Sequence, residues 1–252
     1  MALKGYFPPL SPTGKSRLVG PPPWHFSGNF TVVDFLADPA ATEALLPPDF
    51  EPSENPGACS IFFAEYQSCS NDMSEMDDPV LSQYEECGIV IQGRYRNRSV
   101  NFTPFIWTSK DFSVSRGHIQ GHAKKLGQID MTRVYSVGKV TPQLAEGGRF
   151  SATLACAGRR IAETHVTLNQ PTTSRSNMQG RSMLTLRLFP RLAPESQDVF
   201  ELVRVSNHDV EVSDNWEGEA TVRFSPDAGE DILALSPVSV QKGFRYSMGW
   251  SI

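Results

Sequence analysis

The sequence predicts a mainly β fold, a single antiparallel barrel or sandwich with a few short helices outside it, on three observations. Glycine and proline, 19 of each, make up about 15% of the 252 residues, above an average near ~12%, which suits a turn-rich chain better than a helical bundle. Two stretches of apolar β-formers fold back on themselves as hairpins, and more short strands follow at close spacing. Nothing repeats, and no low-complexity linker divides the chain beyond its first 23 residues. One domain over 24–252 follows, long enough to bury a substantial core.

Taken in order, residues 1–23 carry Pro8, Pro9, Pro12, Pro21, Pro22 and Pro23 and read as an extended arm ending at Trp24. Phe30 to Leu36 and Ala58 to Ser68, the latter with Ile61, Phe62 and Phe63, read as strands. Between them, Pro39 to Leu46 has proline near a helix start and a short apolar face, so one helix fits there. Cys87 to Tyr95 and Ser99 to Thr108 form a hairpin across Arg96-Asn97-Arg98. A second hairpin spans Arg149 to Leu168 and folds at Ala157-Gly158-Arg159. Met183 to Phe189, Phe200 to Val205, Val210 to Val212 and Ala220 to Phe224 add further strands.

Composition excludes several function classes. A net charge of -5 and a pI near 5.6 do not describe a nucleic-acid binder, whose basic face raises the pI. No run reaches the roughly 18 apolar residues that span a bilayer, and the N-terminus does not read as a signal peptide. Cys59, Cys69, Cys87 and Cys156 lack Cys-x-x-Cys spacing, so they are expected to be reduced thiols of a cytoplasmic protein rather than zinc or redox ligands. Phosphate-cradling glycine loops and the Gly-x-Ser-x-Gly elbow are missing. Ser136-Val-Gly-Lys139 matches Ser-x-x-Lys without its partner motifs.

His118 and His122 are four apart, as a helical metal pair requires. Gly117 and Gly121 weaken a helix there, so ordinary polar histidines beside a loop are expected, with no metal. Asp72, Glu75, Asp77 and Asp78 read as a solvated loop. Glu85 and Glu86 sit where a strand turns alternate residues to opposite faces, so at most one of them faces the interior.

Of 23 basic residues, sixteen are arginines and only seven lysines, and two of the seven, Lys124 and Lys125, are adjacent. An exposed pair is the ordinary reading. The sharper one is a Schiff-base nucleophile. A lysine of normal pKa, about 10.4, is neutral in only about one molecule in a few thousand at pH 7. Burial lowers that pKa by up to about 3–5 units. If Gly121-His-Ala-Lys124-Lys125-Leu-Gly127 is extended, the two lysines face opposite ways and only one enters the interior. Phe62, Phe63, Phe102, Phe105 and Trp107 lie on the strands expected to line a dry pocket around it.

Here the sequence resembles the acetoacetate decarboxylase family. Lys-Lys-Leu-Gly at 124–127 is similar to that family's Pro-Lys-Lys-Leu segment, whose first lysine is the nucleophile. Trp24-His-Phe, the strand to Asp38 and Leu45-Leu-Pro47 resemble its opening strand and helix. Asp209 to Phe224, with Trp216-Glu-Gly218, resembles its Trp-x-Gly hairpin, and Pro237 to Tyr246 its closing strand. The likeness runs in order over roughly residues 20 to 250. It implies a closed, cone-like antiparallel β-barrel that holds the lysine and assembles as a homo-oligomer. It aligns Lys124 with the nucleophile, Lys125 with its neighbour and Glu86 with one of two pocket acids.

The departures are specific. The family's arginine after the opening aromatic motif has no counterpart in Phe26-Ser-Gly-Asn-Phe30. Its other pocket glutamate aligns with Phe62, while Glu65 faces the opposite side of the strand. Ala123 stands for the proline before the lysines. Tyr84, Glu86 and Gln120 match relatives associated with aldol and dehydration chemistry on 2-oxo acids. The resemblance therefore implies a lyase acting on a small oxo acid through an imine on Lys124, with no external cofactor. Glu86 is the expected proton shuttle, and Tyr84 and Gln120 the hydrogen-bonding partners of the substrate. Arg116, His118, Phe62 and Lys125 complete the candidate substrate contacts. Decarboxylation and aldol–dehydration both remain open, as does a non-catalytic binding barrel.

Overall fold

A computed structural model of the chain describes residues 2–227 and 229–252. The first long strand, β1 (His25–Leu36), has Thr31 to Phe35 buried throughout. Asp38 then accepts the Ala40 N–H at 2.8 Å and Pro39 fills the first turn of α1 (Pro39–Ala44), the usual way to start a helix. The short β2 (Phe50–Pro52) and the long β3 (Ala58–Cys69) follow. A 3₁₀ turn and α2 (Pro79–Ser82) lead into β4 (Gln83–Tyr95) and β5 (Arg98–Thr108). Arg96 and Asn97 both have positive φ, 48° and 61°, as a two-residue turn matched to strand twist demands. Arg98, expected in the turn, opens β5 instead.

After α3 (Asp111–Gln120) come β6 (Lys124–Leu126), β7 (Gln128–Met131), β8 (Arg149–Cys156) and β9 (Arg159–Pro171). The second hairpin turns at Ala157 and Gly158, φ 50° and 76°. The last strands are β10 (Ser182–Phe189), β11 (Val199–Val205), β12 (His208–Phe224) and β13 (Ser239–Ser251). The expected hairpin between Asp209 and Phe224 is one strand. Its first half pairs with β13 and its second with β9, and the polar Ser213-Asp214-Asn215 is a bulge, with Asp214 at φ 53°.

All thirteen strands share one sheet, in the order β11-β10-β5-β4-β3-β1-β13-β12-β9-β8-β7, with β2 on β4 and β6 on β5. The expectation of a closed barrel is corrected here: β11 and β7 are free ends, and no ladder joins them among the described residues. The break lies at β5, whose outer edge is split between two short parallel pairings, Ile106–Thr108 with β6 and Val100–Asn101 with β10. The chain itself crosses the gap. Gly127 links β6 to β7 and donates its N–H to the Thr108 carbonyl at 2.9 Å.

The sheet is apolar on both faces. Ile61, Phe63, Ile89, Ile91 and Trp107 pack on one side with Leu154 and Leu168, while Phe62, Ala64 and Val90 pack on the other with Phe30, Tyr84 and Tyr246. Residues 2–23 double back, with Lys4 and Ser11 exchanging backbone hydrogen bonds of 2.8 and 3.0 Å, and Val19 and Trp24 are buried.

The connection from β9 to β10 is pinned to the sheet. Asp34 accepts the Asn177 N–H at 2.9 Å and the Ser60 hydroxyl at 2.6 Å. Asn101 donates to the carbonyls of Asn177 and Met178, and Asn215 to those of Thr172 and Ser174. Burial raises the Asp34 carboxyl to about 6, against the pull of the Ser60 and Asn177 donors and of the Arg181 charge. No helix among the described residues is long and apolar enough to cross a membrane.

Candidate active site

Helix α3 ends at Gly121, whose φ of 82° places it in the left-handed region, and the His122 N–H closes onto the Gly117 carbonyl at 2.8 Å. Such a cap stops a helix sharply. The chain leaves it extended as β6, in register with β5 at Ile106↔Lys124. Adjacent residues of a strand point oppositely. Lys124 therefore turns inward and is 9% exposed. Lys125 turns outward, pairs with Glu230 at 2.5 Å and covers the Trp107 ring at 5.3 Å.

The Lys124 Nζ donates to Glu86 Oε2 and, at 3.2 Å, to the Ser113 hydroxyl. Glu86 projects from β4, 6% exposed, while Glu85 on the other face accepts the Ser109 hydroxyl at 2.6 Å. Burial drives the Lys124 pKa down. Glu86 pulls it up, and the nearby Arg116 guanidinium adds to the depression. The balance falls below the ordinary lysine value, the direction a nucleophilic amine needs.

Arg116 is 5% exposed. Its guanidinium donates to the Ser68 hydroxyl at 3.0 Å and to the Tyr84 hydroxyl at 3.1 Å, and lies 4.7 Å from the Phe26 ring centre. No described carboxylate comes within 4.0 Å of it. A buried cation without a counter-ion is costly, so this guanidinium is a ready partner for a ligand anion. Burial raises the Tyr84 phenol above its ordinary value, so it stays protonated and can donate.

These groups open onto one cavity of about 700 Å³. Tyr84, Glu86, Arg116, Gln120, Lys124 and Phe62 all line it, so the structure brings together six of the eight residues singled out by sequence. Gln120 presents a buried Nε2 without a partner. His118 and Lys125 are not brought to the cavity: the His118 Nε2 meets the Lys124 backbone carbonyl at 3.0 Å, and Lys125 lies outside. Of the aromatics expected around the lysine, Phe62 alone lines the cavity. Phe63 and Trp107 belong to the opposite core, Phe105 packs against it, and Phe102 meets Phe50. The walls are Phe26, Phe30, Tyr66, Tyr246 and Trp250 instead.

Three contributors were not found in the sequence. Ser113 holds the lysine amine. His122 lines the cavity, and burial, helped by Lys124 and Arg116, lowers its imidazole to about 3, so it is neutral at working pH. Gly117 makes room: a Cβ there would stand 2.5 Å from Lys124 Cδ. Ser113, Arg116, Gly117 and Gln120 share the i, i+3, i+4, i+7 spacing of one helix face, a signal that was present but hidden by the glycines. Gly117→Ala should lower the melting temperature, since overpacking against the held lysine stem costs about 1–3 kcal/mol and offsets the roughly 1 kcal/mol that alanine gains in helix propensity. It should also slow imine trapping on Lys124 about 10²-fold, the scale of a 1 Å misplacement of a reacting group. Borohydride trapping rates and thermal melts check the two halves. Among the described residues no group of three or more His, Cys, Asp or Glu side chains is placed to hold a metal.

Comparison with known proteins agrees in outline and length. The family described as acetoacetate decarboxylase (ADC) matches residues 7–252. The solved structure of the enduracididine biosynthesis enzyme MppR, complexed with the condensation product of pyruvate and imidazole 4-carboxaldehyde, is 36% identical, covers 100% of this chain and 95% of that one, and superposes with a TM-score of 0.94. An acetoacetate decarboxylase-like enzyme from Sphingomonas wittichii RW1 is 28% identical over 99% of this chain and 96% of its own, with a TM-score of 0.88. Acetoacetate decarboxylase from Legionella pneumophila shares the fold, with a TM-score of 0.75 at 17% identity over 92% of this chain and 86% of that one. No curated protein matches in sequence. A family match over nearly the whole chain, joined to full-length likeness at 36% identity, establishes that the chain belongs to the acetoacetate decarboxylase family.

Proposed function

We propose that this chain is a Schiff-base lyase that joins a pyruvate-class 2-oxo acid to an aldehyde and dehydrates the product, or runs that reaction in reverse. The observation that carries this reading is the buried Lys124 amine between Glu86 and Ser113, in the same cavity as the carboxylate-free Arg116 guanidinium. The likeness to MppR, whose structure holds a pyruvate–aldehyde condensation product, supports it.

The steps follow from the groups present. The neutral amine adds to the C2 carbonyl while Arg116 holds the carboxylate, and loss of one water leaves a protonated imine. The imine is an electron sink, so a proton can leave C3 to Glu86, giving an enamine. The enamine carbon attacks the aldehyde, whose oxygen takes a proton and becomes a hydroxyl. A second C3 proton and that hydroxyl then leave as water, and water hydrolyses the imine to release an unsaturated 2-oxo acid and free the lysine. Over the cycle one oxo acid and one aldehyde give one product and one water. Tyr84 and Gln120 donate to the substrate oxygens, and the neutral His122 keeps a further positive charge off the lysine.

Sodium borohydride with pyruvate should leave a permanent adduct, mapped by peptide mass spectrometry to Lys124. Pyruvate with an aromatic aldehyde should yield the condensed product, and acetoacetate should release little carbon dioxide. Absence of any adduct with pyruvate or acetoacetate, or an adduct that persists in Lys124→Ala, overturns the reading. Rapid carbon dioxide release without condensation assigns the decarboxylase chemistry instead.

A further inference from the structure

The cavity is larger than its chemistry requires. About 700 Å³ is the size that takes a drug-sized ligand, and a three-carbon oxo acid fills a small part of it. Its charge is also one-sided. Five basic side chains line it, Lys124, Arg116, Arg175, Arg181 and Arg204, against the single carboxylate of Glu86, in a chain whose net charge is -5. The first two are buried. The other three are exposed and stand at the mouth.

None of the three makes an ion pair within 4.0 Å with a described carboxylate, and Arg181 alone has one near by, the buried Asp34 on β1. Arg204 donates to the Ser182 hydroxyl at 3.0 Å, whereas Arg187, on the neighbouring strand β10, is matched to Glu201 at 3.1 Å. Arg175 and Arg181 flank Asn177, the point where the β9–β10 connection is fixed to Asp34, Asn101 and Cys59. That anchoring fixes the connection that carries both arginines to the cavity. Like charges gathered at a cleft, with a single buried carboxylate behind them, focus their field on an incoming anion.

We propose that Arg175, Arg181 and Arg204 form a second anion subsite at the cavity mouth. It takes a carboxylate or phosphate carried by the aldehyde, so the preferred acceptor is an acidic aldehyde. Arg116 holds the carboxylate of the oxo acid, and the mouth arginines hold the far end of its partner. The inference rests on the imine chemistry above for the identity of the partner, but the subsite can be measured without it.

The test compares benzaldehyde, 4-carboxybenzaldehyde and 4-formylphenyl phosphate as acceptors for pyruvate at low salt. The charged aldehydes should show a KM about tenfold below that of benzaldehyde at similar kcat, and the triple variant Arg175→Gln/Arg181→Gln/Arg204→Gln should raise it about tenfold, to the level of benzaldehyde, the scale of losing a charge-assisted hydrogen bond. The KM of benzaldehyde and the trapping of pyruvate on Lys124 should not move, which also shows that the variant is folded. The lower KM of the two charged aldehydes separates carboxylate from phosphate as the natural group. Equal KM values for charged and neutral aldehydes in the native protein, or a variant that weakens both alike, overturn the proposal. If pyruvate leaves no adduct on Lys124, the imine reading has failed, and calorimetric titration with the three aldehydes decides the subsite alone. Tighter binding of a charged aldehyde that is lost in the variant supports it, and equal binding rejects it.

Discussion

Lys124→Met should leave no borohydride-trappable adduct and lower turnover on the order of 10⁶-fold, the scale at which enzymes lose a covalent nucleophile. Methionine keeps the length and apolar stem that lie against Gly117 and removes only the amine. The variant also breaks a buried ion pair. Removing one partner leaves the Glu86 carboxylate without its cation and should cost about 3–5 kcal/mol. Lys124→Met/Glu86→Gln removes both charges, so it should recover most of that stability while remaining inactive. Urea melts of the two variants beside trapping assays separate loss of the nucleophile from loss of the fold. Adduct formation by either variant would place the imine on another residue.

The same residue sets a pH dependence whose sign is fixed by its environment. Burial lowers the Lys124 pKa from the ordinary 10.5, so the fold disfavours the charged form. That penalty is present below the folded-state pKa, and it fades as pH rises toward the unfolded value. Relative to the double variant, the native protein should therefore gain stability with rising pH across that window. Pyruvate trapping should rise with pH as the amine loses its proton, with a midpoint below the ordinary lysine value.

Much of this site was legible wherever one residue decides a face. The alternation that sends Lys124 inward and Lys125 outward, or Glu86 inward and Glu85 outward, needs only an extended backbone. Phe62 and Glu65 separate for the same reason. The pocket aromatics were not legible, because the central strands are buried on both sides. In Ile61-Phe62-Phe63 the apolar run is continuous, so hydrophobicity does not say which ring meets the cavity. Helix α3 was obscured by Gly117, which weakens the helix yet is present because the lysine stem needs the space. Closure of the sheet depends on how the edge of β5 is shared between β6 and β10, pairings far apart in sequence. Arg175 and Arg181 lie on a connection fixed by long-range hydrogen bonds to Asp34 and Asn101, which leave no periodic trace.

Glu86→Gln should separate imine formation from turnover. Glutamine is nearly isosteric and can still accept a hydrogen bond from Lys124, so the amine should stay in place. It carries no charge, so the pull that raises the Lys124 pKa disappears while burial and Arg116 continue to lower it. Pyruvate trapping should therefore persist, with its pH midpoint moved further down. Turnover should fall by about 10²–10⁴-fold, the usual contribution of a general acid–base, because nothing at that position can take the C3 proton. Exchange of the pyruvate methyl protons into deuterated water isolates that step and should fall in parallel with turnover. A residue that only held the lysine would give a different pattern, with trapping, exchange and turnover all dropping together. Turnover within a few-fold of the native protein would remove Glu86 from the proton path.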